Sequence, residues 1–555
     1  MPSLSAQCQQ CHTPFEIHEK DRAFYEKLDL PNPKICPECR AQRRLAYRNE
    51  RTLYQRACDL CRKPMISTYS KTSPFPVYCQ ECFWSDHWNA FDFGLEIDVE
   101  KPFFPQFHEL LIKTPRLAIV NKQSENSDYC NYSFANKNCY LTFGNHYEED
   151  CLYGHYSTKN KNCTDYLWLY KCELCYECLF SKNCYRSVYL DHCEDCQECW
   201  FSVDLKGCKN CFLCANLRHK EYYILNKPYS KEEYLKTIAS YRLSDYKSFK
   251  KGVDSYRGDF RTKFPFQALY QVNCEQCEGS NHEQSKNLRA CFDCTKCEDC
   301  AYGFQMDETY DSMDMNCMGY DRSEVCYETV GCSGLFNGLA CDSCWHDSDL
   351  AYCNLCFSSK NCFGCIALQH GEYAILNKKY DKENYEHLMK KIKIEMKKRG
   401  EWGEFFPGMV SPFAYNETVA SEYYPLSKTE AEKQGFRWFE KNEAEFKGEK
   451  ILKASKLPDR IEEVKDTILK GAIECEITKK PFRIVKQELQ FYRENKLPLP
   501  RRHPDQRHKD RMQLRNPRRL WSRTCAKCGA SIQTTYAPGR PEIVYCEGCY
   551  LKEVY

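Results

Sequence analysis

Apolar and polar positions along this chain follow a step of three. Between residues 130 and 214 stand 14 cysteines, and all 13 intervals between successive ones are multiples of three, which random placement does not produce. Aromatic residues and repeated Lys-Asn-Cys turns (ending at Cys139, Cys163, Cys184, Cys211 and Cys362) separate them. Cys130, Cys151, Cys172, Cys193 and Cys214 also recur at one constant step, seven triplets long, and a second array, Cys274 to Cys365, repeats that step in Cys332 to Cys353, Cys341 to Cys362 and Cys344 to Cys365. Fixed periods of about 20 to 50 residues signify stacked units. The pattern predicts two β-solenoids of short strands joined at corners, with about 21 residues per coil. The arrays read as paralogous halves, because Glu221 to Lys227 after the first recurs as Glu372 to Lys378 after the second, offset by 151.

Helical patterns fill the gaps. Ser230 and Glu233 spell a capping box opening a helix through Tyr234, Leu235 and Ile238, and Asp381 opens its counterpart through Tyr385, Leu388, Met389 and Ile392. Both are expected to cover a last coil, and residues 103–113 to cap the first array at its start. An ordered loop is expected from Phe405 to Tyr424, and helices over 428–440 and 457–470. The expected divisions are 1–100, 101–126, 127–229, 230–270, 271–379, 380–470 and 471–555. The fold class is mainly β with helical connectors: tandem zinc-ribbon or treble-clef modules at both ends flank two cysteine-rich arrays.

Those end modules are copies. A gapless shift of 467 lays Cys8 on Cys475, Tyr25 on Tyr492 and Leu30 on Leu497. It also superposes Cys58, Cys61, Cys79 and Cys82 on Cys525, Cys528, Cys546 and Cys549. Both quartets spell C-x2-C-x17-C-x2-C, which fits a closed tetrahedral zinc site with four thiolates. A further quartet is Cys8, Cys11, Cys36 and Cys39, spelled C-x2-C-x24-C-x2-C. Its first C-x2-C pair, Pro14, Phe15, Phe24, Tyr25 and the run Cys36-Pro37-Glu38-Cys39-Arg40 resemble the probable zinc-ribbon domain of uncharacterised bacterial proteins. The resemblance spans about residues 7–45, with a weaker echo at 475–511, and implies zinc but no activity. In the echo Thr478, His503 and Gln506 replace Cys11, Cys36 and Cys39, so that site is expected to have lost its metal and the chain to hold about three zinc ions.

Charge balances overall, with 80 basic and 78 acidic residues, but residues 471–555 carry a net +9 and residues 271–380 a net −10. Arg40, Arg44, Arg48 and Arg51 recur as Arg507, Arg511, Arg515 and Arg518, a spacing read as one helix face. Beside Tyr47, Tyr54 and Trp521 they have the make-up of a phosphate-tracking, base-stacking surface. The expected partner is RNA or a ribonucleoprotein; the alternatives are a protein-interaction scaffold built on the arrays and a thiol redox or metal-handling protein.

No P-loop, dinucleotide fingerprint or H-E-x2-H occurs, and closed sites with four cysteine ligands lack the open position of catalytic zinc, so no enzyme is expected. Cys291, Cys294, Cys297 and Cys300 resemble an iron–sulfur loop but lack the ferredoxin spacing. The remaining array cysteines admit two readings, core thiols or extra metal. With no apolar leader and no long apolar run, the chain is expected to be cytosolic, with reduced thiols and no membrane contact. Asn416 heads a glycosylation sequon by spelling only.

Overall fold

The computed structural model describes residues 3–316, 321–331, 333–440 and 451–555; the predicted step from Cys332 lies outside them. The chain forms two compact units, Met1–Ile119 with Tyr270–Glu440, and Val120–Leu269 with Lys441–Tyr555. Each end module therefore shares a unit with one cysteine array, the N-terminal module with the second and the C-terminal module with the first.

Within each array the chain returns parallel to itself after four triplets. In the first, Leu152 pairs with Thr164, Leu167 with Leu179, Val188 with Trp200 and Lys209 with Glu221. In the second, Phe292 pairs with Phe304 and Lys360 with Glu372. One turn of the second array is a residue short, Gln271 opposite His282, and one is two longer, Thr309 opposite Ser323. The expected coil of seven triplets is thus corrected to four. The longer cysteine step is also a multiple of three, so it records the triplet faithfully and the turn length not at all.

Each triplet has a division of labour. One residue points inward, the next bridges to neighbouring turns, and the third takes a left-handed backbone. Asn138, Asn162, Asn183 and Asn210 do so, and even Tyr153, Trp168, Phe180 and Leu213, with φ between 44° and 56°. Such conformations cost an L-residue roughly 1–2 kcal/mol, which inter-turn hydrogen bonds offset: Lys137 donates its amide to Glu148 O at 2.8 Å and Asn138 to Glu125 O at 2.9 Å. At the corners Asn donates onward to Asp one turn later, Asn138 to Asp150 at 3.0 Å and Asn337 to Asp349 at 2.8 Å. This explains the Lys-Asn-Cys spelling as bridge, corner, interior.

The interior explains the cysteines. A buried amide needs an acceptor, and here the inward side chain one turn earlier supplies it: Ser127 Oγ for Cys139, Asn160 Oδ1 for Cys172, Cys172 Sγ for Cys184. The thiol in turn donates to carbonyls, Cys172 to Tyr170 O at 3.6 Å and Ser181 O at 3.5 Å. Cysteine is small and apolar enough to fill the narrow interior and still closes the hydrogen-bond account. Where an inward residue is large, a neighbour shrinks: a Cβ on Gly154 would lie 2.0 Å from the Tyr166 ring.

The predicted capping box at Ser230 and Glu233 holds, and Asp381 opens its helix as an N-cap. Ser230 caps Lys231–Tyr241 and Asp381 caps Lys382–Arg399, and each helix lays a tyrosine on its last turn, Tyr234 on Tyr222 and Tyr385 on Tyr373, both at 5.6 Å. The helix Phe103–Lys113 does not begin the first array; Phe103 packs on Phe363 and Tyr352 of the second at 4.8 and 5.2 Å. Lys428–Lys433 is helical, while the stretch expected as a helix over 457–470 forms short 3-10 turns at Ile461–Glu463 and Asp466–Lys470. Among the described residues no helix is long and apolar enough to cross a membrane.

Candidate metal centres and the arginine contacts

Each metal centre grows from a β-hairpin and a helix start. Leu4–Gln7 pairs with Pro14–Ile17, and the turn between them carries Cys8 and Cys11; Cys36 is the N-cap of Pro37–Leu45, which adds Cys39. Tyr54–Ala57 with Pro64–Ser67, and Trp521–Thr524 with Ser531–Thr534, repeat the plan. Cys79 and Cys546 are again helix N-caps. The hairpin turn ends in a left-handed residue directly after the second cysteine, His12, Arg62 or Gly529, whose amide returns to the carbonyl of the first cysteine at 3.0, 3.0 and 2.9 Å. That fold-back aims both sulfurs at one point.

In each quartet, Cys8, Cys11, Cys36, Cys39; Cys58, Cys61, Cys79, Cys82; and Cys525, Cys528, Cys546, Cys549, the sulfurs all lie within 4.8 Å of one another. The distances Cys11–Cys36, Cys61–Cys79 and Cys528–Cys546 are 3.7, 3.8 and 3.8 Å. Zinc–sulfur bonds of about 2.3 Å at tetrahedral angles require about 3.8 Å, so these donor sets are compatible with zinc. Backbone amides aim at the first sulfur: Cys36 at Cys8, Cys79 at Cys58 and Cys546 at Cys525, each at 3.3 Å. Burial raises Cys58 and Cys525, but the amides of Cys79, Cys61 and Leu60 bring the former down to about 7, and those of Cys546, Cys528 and Lys527 the latter to about 6. Thiolates at a helix N-terminus gain further from its dipole.

The echo keeps the scaffold but, of the four cysteines, only Cys475. Lys479 takes the left-handed position and its amide meets Cys475 O at 3.1 Å. His503 still caps Pro504–Met512, but its Nδ1 accepts the Asp505 amide at 3.0 Å, and Gln506 donates to Asp510 at 2.7 Å. Arg502 bridges Glu476 and Asp510 at 2.8 and 2.6 Å, so an ion-pair network stands beside the vanished centre. Among the described array residues no group of three or more ligands converges; Cys291, Cys294, Cys297 and Cys300 occupy one turn as buried thiols that donate to carbonyls.

The arginines require a correction. The helices end at Leu45 and Met512, so Arg48, Arg51, Arg515 and Arg518 lie beyond them and no continuous helix face exists. Nor is there an open stripe. Arg40, Arg44, Arg48, Arg507, Arg511 and Arg515 are buried, and Arg51 and Arg518 half-buried. Arg40 and Arg44 grip the two oxygens of Asp314 at 2.9 and 3.1 Å, and Arg43 reaches Glu328 at 2.8 Å. In the other unit Arg507 and Arg511 grip Asp165, and Arg511 reaches Glu177 at 3.1 Å. Arg48 pairs with Glu50, and Arg51 lies 3.7 Å from Glu422. The aromatics are also engaged: Tyr47 donates to Pro407 O at 2.6 Å, Tyr54 to Glu417, and Trp521 lies under Arg519.

These contacts recur with one change of partner: Glu177 is reached by Arg511, but Glu328 by Arg43 rather than by Arg44, the counterpart of Arg511. Asp314 and Glu328 are the counterparts of Asp165 and Glu177, offset by 149 before the two-residue insertion and 151 after it, and all four stand at left-handed corners. Tyr302 donates to Asp21 at 2.9 Å as Tyr153 donates to Glu488 at 2.7 Å. Tyr25 packs on Tyr327 at 5.5 Å as Tyr492 packs on Tyr176 at 5.7 Å. The same kind of lock joins module to array in both units, with four cysteines in one first site and Cys475 alone in the other. The acidic half of that lock was missed in the sequence; its signal was the offset pairing of Asp165 with Asp314 beside Tyr153 and Tyr302.

No family model matches the chain, and neither a curated protein nor a solved structure matches it.

Proposed function

We propose that the protein is a non-enzymatic zinc protein, in which the end modules are clamps and the two arrays are solenoids whose outer sides recruit a protein partner. The observation that carries this is the burial of the arginine pairs on Asp165 and Asp314. An RNA-binding role for the same arginines requires each module to leave its array, exposing buried carboxylates. Zinc holds the hairpin and helix of each clamp in register, so that Arg40 and Arg44, or Arg507 and Arg511, arrive together at their aspartate. Reduced thiols throughout the interiors suit a reducing, cytoplasmic setting.

The test has two arms on the full-length zinc-loaded protein. Elemental analysis is expected to return three zinc per chain. Lysine crosslinking in extract followed by peptide mapping is expected to place partner peptides on outward array residues such as Lys137, Lys161 and Lys182. Salt-sensitive RNA binding that survives with the arrays intact, and RNA crosslinks at Arg507 or Arg511, would reverse the assignment in favour of the nucleic-acid reading.

A further inference from the structure

Almost every array cysteine is sealed inside its stack. Cys274 and Cys277 are the exceptions among the described ones: both are half-exposed, whereas the cysteines from Cys130 to Cys214 and the others described from Cys291 to Cys365 are buried. The cause is positional. Both are inward residues of the first turn of the second array, whose strand Gln271–Val272 is the edge of its sheet, and Val272, Asn273, Glu275 and Gln276 beside them are exposed. The thiols donate to Val272 O at 3.3 Å and Glu275 O at 3.4 Å, and Cys277 also to Ser285 O at 3.4 Å. They are inward residues of adjacent triplets, with Glu275 and the left-handed Gln276 between them.

The other array supplies an internal comparison. Counting one turn back from Asn136, and from its counterpart Ser285, leads to Ser124 and Cys274; the next triplet pairs Ser127 with Cys277. In the first array both serines do interior work, Ser124 accepting the Asn136 amide at 3.1 Å and Ser127 the Cys139 amide at 2.9 Å. At this matched turn Ser124 is half-exposed and Ser127 buried, whereas Cys274 and Cys277 are both half-exposed, so filling a sealed core does not account for a C-x2-C pair that solvent reaches.

We propose that Cys274 and Cys277 form a dithiol modification site, which exchanges with low-molecular-weight disulfides to close an intramolecular Cys274–Cys277 disulfide across the first turn of the second array. The Cys274 thiolate attacks one sulfur of the small disulfide, forming a mixed disulfide and releasing one small thiolate. Cys277 then loses its proton and attacks the Cys274 sulfur, displacing the second small thiolate. Two electrons and two protons leave the protein, and the small disulfide is reduced to two thiols. Cys277 donates to both Glu275 O and Ser285 O whereas Cys274 donates to Val272 O alone, so Cys274 is the freer, attacking sulfur and Cys277 the resolving one; burial pushes the Cys277 thiol up to about 11. The closed bond ties two adjacent sides of the open turn, where no further turn holds them.

The experiment uses full-length zinc-loaded protein incubated with oxidised glutathione, then alkylated in denaturant and mapped by mass. The expected result is a peptide containing Cys274 and Cys277 that is lighter by two hydrogen atoms and unalkylated, with three zinc retained and the sealed cysteines still alkylated. C277S is expected to stop at a glutathione adduct on Cys274. Ser127 is buried, so S124C/S127C is expected to stay reduced at the matched turn of the first array. Full alkylation of Cys274 and Cys277 after oxidation overturns the proposal, and so does oxidation confined to the zinc quartets with loss of metal. An S124C/S127C protein that folds with three zinc and oxidises as readily as Cys274 and Cys277 overturns the argument from exposure.

Discussion

Replacing Asp314 by asparagine tests the clamp directly. Asp314 is fully buried, and its two oxygens receive Arg40 and Arg44, both of them also buried. The amide keeps the shape and one acceptor but removes the charge, leaving two guanidinium groups in the interior. Removing one partner of a buried ion pair costs about 3–5 kcal/mol, because the remaining charge is uncompensated. For a unit of roughly 300 residues, unfolding entropy near 2.1 cal/mol/K per residue converts this to a fall in Tm of about 5–8 °C. Scanning calorimetry reads it, and hydrogen exchange over Pro37–Leu45 localises it to the N-terminal module. D165N is the matched perturbation for the other unit, with faster exchange over Pro504–Met512. Replacing the triad by apolar residues, R40M/R44M/D314L, is expected to restore most of the loss, because no member of the triad is then left charged and unpaired, while Glu328 keeps Arg43 as its partner. A D314N protein with unchanged Tm and unchanged exchange would show that the pair contributes nothing to docking, and the clamp reading would fall.

Three further outcomes follow from the geometry. C61S and C528S should each lower zinc content from three to two per chain, whereas T478C/H503C/Q506C, on a scaffold that still folds back at Lys479, should raise it to four; elemental analysis decides both. G154A should destabilise the unit containing the first array by about 1–3 kcal/mol in urea denaturation, because the added methyl group meets the Tyr166 ring; G154A/Y166L should recover much of that. Burial holds Asp347 up to about 7, its amide contact from Ser359 notwithstanding, and burial likewise holds Asp307 up to about 6. Folded pKa values above the unfolded value of about 3.9 mean that the native state binds the extra protons. Stability of the unit holding the second array should therefore fall as pH rises from about 4 to 7, and D347N should flatten that slope in a denaturation series across pH.

How much could be read in advance differs from residue to residue. The three cysteine quartets were legible, because C-x2-C spacing is itself the geometry of the turn that aims two sulfurs at one ion, and the shift of 467 showed the design twice. The capping residues Ser230 and Asp381 were legible for the same local reason. The triplet was visible in the cysteine spacing, but its closure after four repeats was not: that number is set by corner conformations at positions as unlike as Asn138 and Trp168, and side-chain identity does not announce a left-handed backbone at Trp168. The arginines were visible as a repeated pattern and misread as a surface.

What the amino-acid order settled alone is local: metal-binding turns, helix starts, and a strict alternation of interior, bridge and corner. What only tertiary structure decided is which module meets which array, and with it the fate of the charges. Arg40 and Asp314 lie 274 residues apart and Arg507 and Asp165 lie 342 apart; nothing in either neighbourhood says that the other exists. A charge becomes a surface or a core only through what folds against it, and here the two arrays turned the most basic stretches of the chain into the inside of the molecule.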